Sequence, residues 1–77
     1  MARKEYYVVL HQGEWKIKAG DQHVGRYTTQ KGAIIAAVNF AHQDGLNGHD
    51  AQVLVQGADG RFRTEWTYGH DPYPPPG

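Results

Sequence analysis

The sequence predicts a two-layer α+β domain: one helix packed on a mainly antiparallel sheet of four to five strands, in the order β-β-(β)-α-β-β. Three observations carry this reading. Short period-2 segments rich in Tyr and Val flank a single stretch of helical period. Glycine-containing turn signals punctuate the strand boundaries. One helix has one apolar stripe to bury, and a sheet face is the surface this chain offers it.

The first strand is expected over 5–12. Tyr and Val suit a pleated surface. Tyr6, Val8 and Leu10 point one way, and Tyr7, Val9 and His11 the other. Apolar residues on both faces mark an inner strand. Gly13-Glu14 turns the chain. Residues 15–19 then alternate cleanly, with Trp15, Ile17 and Ala19 inward and Lys16 and Lys18 outward, so the two segments read as a hairpin. Gly20-Asp21 is the next turn, and a short third strand follows over 23–27.

Thr28 or Thr29 can cap a helix over 30–44, because a hydroxyl accepts from a free first-turn amide. Ile34, Ala37, Val38 and Ala41 form one stripe, which Ala33 and Phe40 widen. Gly45 stands where a left-handed residue ends a helix. Such a helix is about 22 Å long and can lie across strands of about 20 Å.

After a loop at 46–49, the next strand is expected over 50–56, with Ala51, Val53 and Val55 on one face. Gly57-Ala58-Asp59-Gly60 is the strongest hairpin turn. The last strand is expected over 61–68, with Phe62, Thr64, Trp66 and Tyr68 on one face and Arg61, Arg63, Glu65 and Thr67 on the other. Residues 69–77 form a tail whose Pro74-Pro75-Pro76 run favours polyproline II. The organisation expected is a single domain over 1–77, with its core at about 5–68.

A chain of 77 residues buries only about 60–65% of the surface its unfolded form exposes. Small domains of this kind often need a staple. With no cysteine, disulfides, thiolate nucleophiles and zinc-thiolate sites are excluded. That absence also fits a reducing compartment, and a cytoplasmic protein is expected. Self-association is the staple that remains. No apolar run is long enough to span a membrane, and the opening residues lack the apolar stretch of a signal peptide. Eight basic and eight acidic side chains cancel, so no global field steers the chain toward nucleic acid. The halves differ: residues 1–38 hold six basic and three acidic groups, residues 39–77 two and five.

The final turn and tail, Gly57-Ala58-Asp59-Gly60-Arg61 and then Thr67-Tyr68-Gly69-His70-Asp71-Pro72-Tyr73-Pro74, carry a resemblance. So do Tyr7-Val8-Val9, the Gly13-Glu14-Trp15 motif and the helix start at Thr29, Ala33 and Ile34. Together they resemble a family of short bacterial proteins known as domain of unknown function family 2188. Gly32 departs from the pattern, where such helices more often carry an acidic residue. The chain is more distantly similar to YegP-like domains, whose strand-strand-strand-helix-strand units pack in pairs. That resemblance implies a homodimer and no reaction.

No catalytic constellation is visible, and a non-enzymatic protein without cofactors is expected. Serine is absent. The five histidines show no compact metal-ligand spacing. No Gly-Lys-Ser/Thr follows the Gly-Ala-Asp-Gly turn, so it is not a phosphate loop. A deep pocket gathering His70, Asp71 and Glu65 is the arrangement that would point to an enzyme. The aromatics instead load both sheet faces, and one helix can cover only one of them. Excess apolar area marks an interaction surface. Its candidates are Tyr7, Trp15, Phe62, Trp66, Tyr68 and Tyr73. The expected function is a small binding module that self-associates as a homodimer. The alternative is a sheet that holds single-stranded nucleic acid, with Lys16, Lys18, Arg61 and Arg63 as contacts. The alternation places those cations opposite the aromatics, so aromatics inward and cations in water is the simpler arrangement. The tail also satisfies Pro-x-x-Pro, but it is expected to fold onto its own domain through Tyr73.

Overall fold

The computed structural model describes residues 3–75. Six elements follow one another: β1 (Lys4–His11), β2 (Glu14–Ala19), β3 (Gln22–Tyr27), α1 (Gln30–Leu46), β4 (Ala51–Gln56) and β5 (Phe62–Thr67). The third strand forms, and the five strands make one sheet in the order β3-β2-β1-β4-β5. β1 and β4 run parallel; the other neighbouring pairs are antiparallel. The one parallel pair is the one whose connection contains the helix, as parallel pairing requires a crossover. β1, apolar on both faces, is the central strand.

The core lies between α1 and one sheet face. Val8, Ile17, Val53 and Val55 from the sheet meet Ala33, Ala37, Val38 and Ala41 from the helix, with Ala51 and Trp66 beside them. Thr29 is the N-cap and its Oγ1 accepts from Gly32 N at 3.0 Å. Tyr6 reaches up to the helix, where its ring stacks on Phe40 with centroids 5.8 Å apart. Its hydroxyl donates to Asp44 Oδ2 at 2.5 Å.

The helix does not stop at 44. It continues through Gly45, and Asn47 is the C-cap. Gly45 is a contact residue rather than a terminator. The Tyr68 ring occupies the space a side chain would take, so a Cβ there would lie 2.2 Å from Cδ1 of Tyr68.

The expected single face of the last strand is also corrected. Val53 pairs with Trp66, but Leu54 pairs with Thr64, which leaves Glu65 as an extra residue. A bulge of one residue reverses the alternation. Trp66 therefore faces the helix with Val53, and Arg63 faces it with Val55. Phe62 and Thr64 face away. A second register shift, between Lys16 and Lys18, falls opposite Gly25, whose φ of +98° suits only glycine. It leaves Arg26 opposite Lys16 and His23 opposite Lys18.

The tail folds back over the gap between β5 and α1. Asp71 Oδ2 accepts from Thr67 N at 2.8 Å, and Trp66 Nε1 donates to the Pro72 carbonyl at 2.8 Å. Tyr73 stacks on His42 with centroids 3.6 Å apart and planes 5° apart. Its hydroxyl donates to Asn39 Oδ1 at 2.7 Å. Pro76, the last member of the expected polyproline run, lies outside the described residues.

Candidate functional site

The six aromatic candidates separate into three places. Tyr7 and Phe62 meet on the sheet face away from the helix, edge to face with centroids 5.3 Å apart. Val9 follows Tyr7 along β1, and Leu54 pairs with Tyr7 across β4. These four residues make an apolar strip over β1, β4 and β5, on the face that α1 does not cover. Phe62 is 44% exposed. Trp15 lies on the helix side. Trp66, Tyr68 and Tyr73 gather around His42 beneath the tail, with ring centroids 3.6–6.5 Å from it.

The cation candidates separate too. Lys16 pairs with Val9 and Lys18 with Tyr7, so both share the open face with the aromatic strip. Arg26 joins them, 3.8 Å from Glu14. Aromatics inward and cations in water therefore describes only part of the sheet: on this face they lie side by side. Arg63 stands on the other side of the sheet, its Nε 3.4 Å from Glu65 Oε1. Arg61 precedes β5, within the turn that links it to β4.

Two tyrosines have altered acidity. Tyr6 is pushed up to about 12, first by burial and then by the hydrogen bond and negative charge of Asp44. Tyr7 is raised first by its hydrogen bond to Glu5, whose Oε1 accepts at 3.1 Å. Both effects keep the phenol protonated and donating. Neither prepares a nucleophile.

Two concavities flank the helix. A cleft of about 470 Å³ at its N-terminal end is lined by Leu10, Trp15, Gln30, Gln56, the turn residues Gly57, Ala58 and Gly60, and Arg63. A groove of about 330 Å³ runs between α1 and the tail, with Ile34, Val38, Trp66, Pro72 and Pro75 as its apolar walls. Glu65 and Asp71 stand on that groove without His70. The histidines stay dispersed: His11 and His23 approach to 6.3 Å between ring centroids, but no group of three metal-ligating side chains occurs among the described residues. No helix among these residues is long and apolar enough to cross a membrane.

Sequence reasoning missed the cleft, because Leu10, Gln30, Gln56 and Arg63 come from four separate segments. It also missed the stacking of His42 on Tyr73, for which no local signal exists.

A model of the family described as uncharacterized protein conserved in bacteria (DUF2188) matches residues 6–68. No curated protein and no solved structure matches the chain.

Proposed function

We propose, from the premise that the chain belongs to the DUF2188 family of uncharacterised bacterial proteins, that it is a non-enzymatic binding module that self-associates through the open face of its sheet. The observation that carries this reading is the uncovered strip of Tyr7, Val9, Leu54 and Phe62. The size of the core supports it. Among the described residues ten buried side chains make up that core and four of them are alanine, so a second copy would add the apolar burial the domain lacks. A two-fold pairing lays the strip against itself and closes the assembly. A cysteine-free chain suits the cytoplasm.

The experiment is light scattering at tens of micromolar. The wild type is expected to have the mass of a dimer and Phe62→Glu that of a monomer, with the same circular dichroism. A strictly monomeric wild type would sink the reading.

A second reading rests on Lys16 and Lys18, which lie beside Val9 and Tyr7 on the open face and have no carboxylate within salt-bridge reach among the described residues. Stacking rings beside cations suit single-stranded nucleic acid. Fluorescence anisotropy with a labelled oligonucleotide separates the two. Salt-dependent binding lost in Lys16→Gln/Lys18→Gln favours nucleic acid, and no binding at low salt removes it.

A further inference from the structure

The cleft at the N-terminal end of α1 lies on the opposite side of the sheet from the open face, and its chemistry is independent of self-association. Trp15 packs partly on the core, so its ring is a fixed platform that loses little freedom when something stacks on it. Leu10 forms an apolar wall and is 51% exposed. Arg63 is steadied through Nε by Glu65 at 3.4 Å. Its Nη1 lies over the turn, 3.6 Å from where a Cβ on Gly57 would stand. A guanidinium has five N–H donors, and the contact with Glu65 uses one.

The two glutamines complete the rim. Gln56 accepts from Leu10 N through Oε1 at 3.1 Å, so that bond does not use its amide N–H donors. Gln30 donates through Nε2 to the Gln56 carbonyl at 3.3 Å, so that bond does not use its Oε1 acceptor.

We infer that this cleft binds a small aromatic anion: its ring on Trp15, its charged group on Arg63, and its polar edge against Gln30 and Gln56. A volume of about 470 Å³ lies within the usual range for small-molecule sites, roughly 300–1,000 Å³. Arginine binds carboxylate and phosphate alike through paired N–H groups, so the shared feature is a planar ring carrying an oxyanion. The Glu65 pair occupies one edge of the guanidinium and leaves its paired Nη donors for a ligand oxyanion. Glu65 orients the guanidinium, and Asp59 Oδ1 accepts from Arg61 N at 3.0 Å within the turn.

The test is titration of the intact protein with indole-3-acetate and with adenosine 5′-monophosphate, against indole and adenosine as neutral counterparts, followed by amide chemical shifts. Saturable shifts confined to Leu10, Trp15 and the turn from 57 to 60 are expected for at least one anion. Which of the two binds distinguishes carboxylate from phosphate. Loss of the charged hydrogen bonds is expected to weaken binding roughly tenfold or more, both in the neutral counterpart and in Arg63→Gln. Arg26→Gln, on the open face, should bind as the wild type does. Trp15→Phe keeps a ring platform and should retain binding, while Trp15→Ala should weaken it. No saturation with either anion, shifts centred on Tyr7 and Phe62, or undiminished binding by Arg63→Gln would each overturn the inference.

Discussion

Replacing Gly45 by alanine would place a Cβ 2.2 Å from Cδ1, 2.3 Å from Cγ and 2.4 Å from Cε1 of Tyr68. Carbon atoms rest at about 3.5–4.0 Å, so the ring must retreat by more than an ångström. Cγ cannot retreat alone, because it sits one bond from the Cβ of a residue whose backbone N–H is held by the Ala51 carbonyl at 3.0 Å. Overpacking of this kind costs about 1–3 kcal/mol. Alanine returns about 1 kcal/mol through its better helix propensity. The clash involves three ring atoms, so the net expectation is a loss of about 1–2 kcal/mol. In a domain of this size that lowers the melting temperature by roughly 5–15 °C. Urea denaturation followed by circular dichroism and tryptophan fluorescence measures it. The decisive comparison is Gly45→Ala in a Tyr68→Ala background. With the ring gone, the same substitution should be neutral or stabilising by up to about 1 kcal/mol. The same destabilisation in both backgrounds, or stabilisation in the wild type, would refute the account of Gly45 as a contact residue.

Tyr6 links stability to alkaline pH. Its ordinary value is 10.0 and its folded value about 12, so its contribution is complete below pH 10 and is lost as pH rises through about 12. Tyr6→Phe should flatten the decline of stability in that window and cost about 1–3 kcal/mol at neutral pH; an unchanged alkaline slope would show that Tyr6 is not the group that titrates there. Trp66→Phe removes the bond to the Pro72 carbonyl and part of a buried ring, with an expected cost of about 1–3 kcal/mol. The ring-current shifts of His42 and Tyr73 should collapse with it, and their persistence would show that the tail is held without that anchor.

The reach of the sequence can be seen strand by strand. Trp15, Ile17 and Ala19 fell on one face as their period required, and so did Ala51, Val53 and Val55, because a half-buried strand records its burial at every second residue. In β5 the same logic failed at Glu65. A bulge leaves no composition signal, and one inserted residue moved Phe62 from the expected core face to the open one. The helix stripe was legible, but its end was not. Gly45 has the local signature of a stop, and only the approach of Tyr68, 23 positions away in sequence, shows why the helix continues through it. The separation of the aromatics and the assembly of the cleft depend on pairings between distant segments, which local patterns do not encode.

The central place of β1 has a consequence for how the chain can be divided. β1 bonds to β2 across a two-residue turn, but its other edge waits for β4, whose pairing joins Lys4 to Ala51 and Tyr6 to Val53. The N-terminal meander can therefore form early from local contacts, whereas the sheet closes only after α1 has been traversed. A fragment ending at the helix would present β1, apolar on both faces, as a bare edge, open to any extended chain that meets it. Cleavage in the loop after α1 should thus produce sticky pieces rather than a smaller folded unit. The surface loops at 20–21 and 58–60 join strands already adjacent in the sheet, and they are where the chain can be lengthened without exposing that edge.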